Sequence, residues 1–281
     1  MNREITAQQM TSKSFLAFNK PELEKKFSDF YETLKNKGTE VLGIVCDFDQ
    51  TLSSDSSLIT HQSFPETTKI RLTGELLSTK QNEMNNRFAV IHNTTPPEKM
   101  NELYEEWWSE SHELIKASDF HETQLKRCAE RITFRDGAIE FIKFCEVNNL
   151  TLIIFSAGIA NIIRESLTLI LGCNNPQNVF VIANEMNFQL DGSVDSFSPT
   201  IHSLNKSYEY FAPELDVRIG TPSLCLVIGD SRSDADMMKG FHRPVLKIGI
   251  YEGKEFFDAF LEEKSFTGLT LWLQQLRTDK L

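Results

Sequence analysis

A chain of 281 residues, 40% of them apolar, is long enough to bury a large core, as a single domain carrying an insertion. Its formal net charge of −11, from 29 Lys and Arg against 40 Asp and Glu, argues against a nucleic-acid partner, whose phosphate backbone is bound by clustered basic residues. No apolar run approaches the roughly 18 residues of a membrane span and no basic-then-apolar leader opens the chain, so no membrane partner and a cytoplasmic location are expected.

Residues 14–37 carry recurrent apolar positions (Phe15, Leu16, Phe18, Leu23, Phe27, Phe30, Leu34) and predict a leading helix or two, with Pro21 at a helix start. The apolar run 41–46 predicts the first strand. Asp47-Phe48-Asp49-Gln50-Thr51 follows it directly and delivers two carboxylates on alternate residues at a strand's C-terminal end, where open α/β sheets hold ligands. One carboxylate there can attack phosphorus and the other can manage the proton. An aspartate just past a strand is also a common turn former, so the pair alone does not decide the matter.

Residues 51–135 hold helical segments and turn signals but no convincing strand, and Thr94-Thr95-Pro96-Pro97 breaks them. This predicts a helical cap over residues 56–134, inserted after the first strand, with 1–55 carrying the leading helices and 135–281 the remaining core. A tryptophan pair, Trp107-Trp108, stands in it; an indole face can stack on a base, although tryptophans on helices usually pack in cores. Ser111 and His112 follow on the same helical faces.

From Asp136 the pattern alternates: a helix to 148, a strand over 151–155, the small turn Ser156-Ala157-Gly158, a helix over 159–171, then a strand over 179–183. A serine hydroxyl and the first amides of a helix can seat a phosphate, or Ser156 can simply cap the helix. Residues 186–197, with Asp191-Gly192 in the middle, predict a β-hairpin flap. Lys206, ahead of a helix around 208–212, can neutralise a phosphoryl oxygen and shield nearby carboxylates from each other. The apolar run 224–228 reads as a parallel strand buried on both faces; it ends in Gly229-Asp230, with Asp234 a helical turn beyond. Aspartate oxygens of this kind suit Mg²⁺. A late strand over 245–250 and a closing helix over 269–276 complete an α/β fold with a doubly wound parallel sheet. Cys46, Cys128, Cys145, Cys173 and Cys225 show no CxxC spacing and read as buried free thiols.

Taken together, DxDxT, a strand-terminal serine, a lysine and GDxxxD, in that order, resemble the four motifs of the haloacid dehalogenase-like phosphohydrolases with their Rossmann-like core. Phe155-Ser156-Ala157-Gly158-Ile159, Ile201-His202 ahead of Asn205-Lys206, Gly229-Asp230-Ser231, and Glu106-Trp107-Trp108 ahead of Ser111-His112 look like the cytosolic pyrimidine 5′-nucleotidase branch, over residues 42–249. Some of its members prefer pyrimidine monophosphates and some act on 7-methylguanosine monophosphate. The resemblance implies Asp47 as nucleophile and Asp49 as acid and base. It implies Mg²⁺ held by Asp47, the carbonyl of Asp49 and Asp230, with Asp234 nearby, and phosphate held by Ser156, Ala157 and Lys206. The family counterpart of Trp108 is a base-contacting aromatic, and Ser111, His112 and His92 are the further base candidates. The chain departs from the family where a cap glutamate is expected: Ile91 or His92 stands there, and Glu83 and Glu98 do not align with it.

The expectation is therefore a Mg²⁺-dependent nucleoside 5′-monophosphate phosphatase, a monomer or weak dimer, acting on UMP or CMP, with phosphotransfer to nucleosides as an allied activity. The alternatives are 7-methylguanosine monophosphate as substrate, another small phosphate monoester, or a nonenzymatic binding protein that has kept the fold.

Overall fold

In the computed structural model, which describes residues 15–18, 20–172, 176–210, 212 and 221–278, the apolar run after residue 41 becomes strand β2 (Leu42–Cys46), buried at every position. β1 (Leu16–Phe18) precedes it, and β3 (Thr151–Ile159), β4 (Val179–Phe188), β5 (Val194–Ser198), β6 (Leu224–Gly229), β7 (Val245–Gly249) and β8 (Ala259–Leu261) follow. They form one eight-stranded sheet in the order β1-β8-β7-β6-β2-β3-β4-β5. Strands β8 to β4 run parallel, and the two edge pairs, β1 with β8 and β4 with β5, run antiparallel. The expected α/β class and mostly parallel sheet are therefore present. β2 and β6 lie side by side at the centre, and their all-apolar sequences reflect burial on both faces.

The chain builds outward from β2 in two directions, through β3 and β4 on one side and through β6, β7 and β8 on the other. That reversal opens a crevice beyond the carboxyl ends of β2, β3 and β6. Between β2 and β3 come α2 (Leu77–His92), α3 (Met100–Lys116) and α4 (Leu125–Ala129), with isolated bridges but no strand among the described residues. The Thr-Thr-Pro-Pro break falls between α2 and α3, as its backbone restrictions require.

α5 (Ala138–Val147) and α6 (Ala160–Leu171) flank β3, α7 (Arg232–Ala235) follows β6, and α8 (Thr267–Thr278) closes the chain. β4 is a single ten-residue strand whose first half pairs with β3 and whose second half forms the expected hairpin with β5. Of the helix expected around 208–212, residues 208–210 and 212 are helical, while Phe211, like Cys173, lies outside the described residues.

One expectation fails at the start. Residues 16–18 are a short edge strand, not part of a leading helix, and α1 (Pro21–Lys37) begins at the expected proline. Phe15 packs against Phe27 and Trp272 at ring centroids of 6.4 and 5.9 Å. Three residues are too few for a period of two to be told from one helical turn, so the tertiary contact with β8 decides. Among the described residues no helix is long and apolar enough to cross a membrane.

Candidate active site

Asp47 leaves β2 with its amide bonded to the Ile228 carbonyl of β6 at 3.0 Å, which fixes the strand end as the chain turns. The turn itself needs Gln50 in a left-handed conformation (φ 62°). Arg135, buried, clamps it by donating to the carbonyls of Gln50 at 2.6 Å and Thr51 at 2.8 Å and pairing with Asp55 at 2.5 Å. Across the crevice, a Cβ on Gly229 would lie 2.1 Å from that of Asp234, so only glycine lets the first turn of α7 fold back over the end of β6.

Lys206 joins these two corners. Its Nζ is buried and lies 2.6 Å from Asp47 Oδ1 and 2.9 Å from Asp234 Oδ1. Burial works against the ammonium, yet Asp234 and Asp47 beside it hold its pKa above the usual lysine value. Burial pushes the Asp47 carboxyl well up; Lys206 opposes this and Asp234 and Asp230 add to it. Asp234, although buried, is held below the ordinary carboxylate range by Lys206 and Ser231. Its Oδ2 accepts from the Ser231 amide at 2.9 Å, the Ser231 hydroxyl at 2.6 Å and the Asp230 amide at 3.1 Å.

The two shifts within this group point opposite ways, and the geometry says why. Asp234 has both oxygens engaged by donors, whereas Asp47 has one lysine contact and Asp230 a distant hydroxyl, Thr51 Oγ1 at 3.5 Å. Burial, then Asp234, raises Asp230 to about 6. Carboxylate oxygens of Asp47, Asp230 and Asp234 lie within 4.8 Å of one another. One lysine offsets part of that concentrated charge, and a hard divalent cation fits the remainder.

Asp49 sits on the other side of the turn. Its Oδ1 accepts from the Thr60 amide at 2.9 Å and its Oδ2 from the Thr60 hydroxyl at 2.8 Å. Burial raises its pKa to about 6 against the pull of those two hydrogen bonds. Thr60 Oγ1 also accepts from the Ile159 amide at 3.0 Å, and Ser156 Oγ accepts from the Gly158 amide at 3.0 Å. Sequence reasoning missed Thr60: it stands eleven residues past Asp49 in no recognisable motif.

A cleft of about 290 Å³ is lined by Asp47, Asp49, Ser156, Ala157, Lys206, Asp230 and Asp234, together with Ile59, His61, Trp107 and Trp108. All seven residues expected for catalysis, metal and phosphate are thus brought together. Of the four base candidates only Trp108 lines the cleft. Its indole N–H donates to the Ala157 carbonyl at 3.2 Å, and its ring lies beside Tyr104. Trp107 also lines the cleft while resting on Phe88 at 5.0 Å, and its buried N–H has no partner among the described residues.

Ser111 and His112 are buried behind this wall. His112 stacks on Phe197 of the hairpin at 4.0 Å and meets His61 Nε2 to Nε2 at 3.4 Å. His92 packs instead against Phe88 and Tyr104. Burial, with a smaller contribution from His112, lowers His61 to about 3, and burial lowers His112 to about 4, so both rings are neutral at physiological pH. His61 had no sequence signal beyond its residue type.

The family model described as pyrimidine 5′-nucleotidase (UMPH-1) matches residues 52–261, beginning just past the two paired aspartates. A putative cytosolic 5′-nucleotidase 3 from Caenorhabditis elegans is 34% identical over 226 residues, 75% of this chain; the match covers 59% of that relative's length. A 7-methylguanosine phosphate-specific 5′-nucleotidase from Mus musculus is 27% identical over 239 residues, 79% of this chain and 76% of the relative. Among solved structures, cytosolic 5′-nucleotidase IIIB bound to cytidine superposes with a TM-score of 0.70 at 23% identity, covering 94% of both chains. A probable phosphoserine phosphatase from Vibrio cholerae gives 0.55 at 16% identity, covering 86% of this chain and 68% of that one. Both structural likenesses are likenesses of fold.

Proposed function

We propose a function from the premise that this chain belongs to the pyrimidine 5′-nucleotidase (UMPH-1) family: it is a nucleoside 5′-monophosphate phosphatase. The observation that carries the reading is Lys206 Nζ held between Asp47 and Asp234 at the bottom of the cleft, beside Asp49 and Asp230. A single cation set between two carboxylates opposes the burial that raises Asp47 and so favours the ionised form that a nucleophile needs.

Asp47 attacks phosphorus, forming an aspartyl-phosphate, while Asp49 gives its proton to the departing nucleoside oxygen. Asp49 then takes a proton from water, which attacks the phosphoryl group, releasing phosphate and regenerating Asp47. The Ser156 hydroxyl, the Ala157 amide and Lys206 would hold the phosphoryl oxygens. Asp47, the Asp49 carbonyl and Asp230 would hold Mg²⁺, which supplies charge compensation at the phosphoryl oxygens. Asp234, occupied by Ser231 and Lys206, sets the loop and the lysine, acting beside the metal and not as its main ligand.

The cap over residues 56–134, set against the core segments 1–55 and 135–281, places Trp107, Trp108 and His61 over the phosphate end and limits water there. Among the described residues no carboxylate lines the cleft outside the four aspartates, so no further acid is at hand there to offset a cationic base. That favours pyrimidine monophosphates such as UMP and CMP over 7-methylguanosine monophosphate. The same lack of a cap carboxylate among the described cleft-lining residues favours, as a second reading, another small phosphate monoester. A cytoplasmic location and a monomeric or weakly dimeric state belong to this proposal.

The test is phosphate release with Mg²⁺ from UMP, CMP, 7-methylguanosine monophosphate and a panel of phosphorylated sugars and amino acids. UMP or CMP should be turned over fastest, and Asp47→Asn should abolish turnover. Faster turnover of a non-nucleotide would establish the second reading, and no turnover of any monoester would end the proposal.

A further inference from the structure

Asp49 has to serve twice with opposite protonation, yet a carboxyl on a single rotatable bond has no fixed plane of its own. Here something outside the catalytic loop fixes it. Thr60 reaches both oxygens at once, the amide to Oδ1 and the hydroxyl to Oδ2, and among the described residues it alone donates to that side chain. We propose that Thr60 is the positioning residue for Asp49, holding the carboxyl plane through both steps of turnover; the inference rests on the phosphatase reading above.

The surroundings of Thr60 define which way its hydroxyl works. Its side chain is fully buried, and the Ile159 amide already donates to Oγ1. With an acceptor lobe filled, the hydroxyl proton is directed at Asp49 Oδ2. The residue is itself anchored, since its carbonyl accepts from the Ser63 hydroxyl at 3.0 Å inside the short turn Thr60–Gln62. The neighbouring His61 carbonyl accepts from Gln81 of α2 at 2.6 Å, which ties the same turn to the cap. Gly158 leaves the room: a Cβ there would stand 2.4 Å from Thr60 Oγ1 and 2.8 Å from Asp49 Oδ2.

Proton accounting leaves Thr60 unchanged. In the first step the proton passes from Asp49 to the nucleoside oxygen as its bond to phosphorus breaks. In the second a proton passes from the attacking water to Asp49. The Thr60 amide stays on Oδ1 and its hydroxyl on a lone pair of Oδ2 in both, so the plane persists while the Asp49 proton comes and goes.

The distinguishing experiment uses two leaving groups. UMP needs its departing oxygen protonated; p-nitrophenyl phosphate does not, because nitrophenolate leaves as an anion. In the full chain with Mg²⁺, Thr60→Val should lower kcat on UMP by about 100-fold with KM within about twofold, the size expected for a misaligned proton donor. The single-turnover burst of nitrophenolate should fall by less than about tenfold. Thr60→Ser, which keeps both donors, should stay within about threefold of the parent on both substrates. If Thr60→Val does not fold, Thr60→Ala carries the same comparison. Equal losses on the two substrates, or undiminished kcat on UMP, would overturn the assignment. Failure of the parent chain to hydrolyse UMP would instead defeat the phosphatase reading.

Discussion

Gly158→Ala adds one methyl group at the point where three active-site groups meet. Gly158 is not among the residues with positive φ, so alanine can adopt its backbone and any effect comes from the Cβ. That Cβ would lie 2.4 Å from Thr60 Oγ1, 2.8 Å from Asp49 Oδ2 and 3.1 Å from Ser156 Oγ, whereas ordinary contact starts at 3.4 Å. Thr60 Oγ1 must therefore retreat by about 1 Å and Asp49 Oδ2 by about half that, with Thr60 fully buried and Asp49 half-buried in close packing. Such a shift takes the 2.8 Å Thr60–Asp49 hydrogen bond out of good geometry.

Overpacking of this kind costs about 1–3 kcal/mol of stability. A displacement of about 1 Å in the catalytic constellation costs on the order of 100-fold in kcat. The assay is phosphate release from UMP with Mg²⁺, run beside calorimetric unfolding. Gly172→Ala is the control: it strains a left-handed cap (φ 71°) with no atom within 4 Å, so it should lower stability and leave kcat alone. A folded Gly158→Ala protein with the parent's kcat/KM would refute the steric reasoning.

Lys206→Met leaves Asp47 and Asp234 buried without their shared cation; about 3–5 kcal/mol of stability and nearly all turnover should go, read by urea denaturation and phosphate release. Intact stability would show that the pair is not buried together. The neutral rings of His61 and His112, whose folded pKa values of about 3 and 4 lie below the unfolded value near 6.5, make the unfolded chain bind more protons below pH 6.5. Their contribution is fully present above that pH and is lost as pH falls toward 4, so between pH 7 and 4.5 the parent should lose about 2 kcal/mol more than His112→Phe; parallel urea curves would exclude this. Mg²⁺ at roughly 100 times its dissociation constant should raise the unfolding free energy by about 2.7 kcal/mol and the melting temperature with it. Asp230→Asn should abolish that rise, and an unchanged Mg²⁺ response in this variant would remove Asp230 from the proposed ligands.

The corners proposed as catalytic were legible because each combines two local signals, an apolar run and a polar residue at its exit. Such a run is buried on both faces only in the middle of a parallel sheet, so β2 and β6 were forced together and carried Asp47 and Asp230 to one edge. The edge strand Leu16–Phe18 was not legible, because its pairing with β8 draws on residues 259–261, far away in the chain.

The base end of the cleft was read less well for the same reason. α3 displays Trp107, Trp108, Ser111 and His112 with helical periodicity, but the period does not say which of them faces the crevice and which faces the β4–β5 hairpin. Packing of His112 on Phe197 settles it, turning that ring away and leaving Trp107 and Trp108 at the cleft.

The amino-acid sequence by itself determined the sheet's centre, the strand ends and the acids that stand on them, since burial and backbone geometry act locally and leave periodic marks. Only the tertiary structure decided that Lys206 lies between Asp47 and Asp234 and that Thr60 grips Asp49 while leaning on Ile159. Those hydrogen bonds join segments up to 159 residues apart, and a contact set by how loops close over a sheet has no period to read.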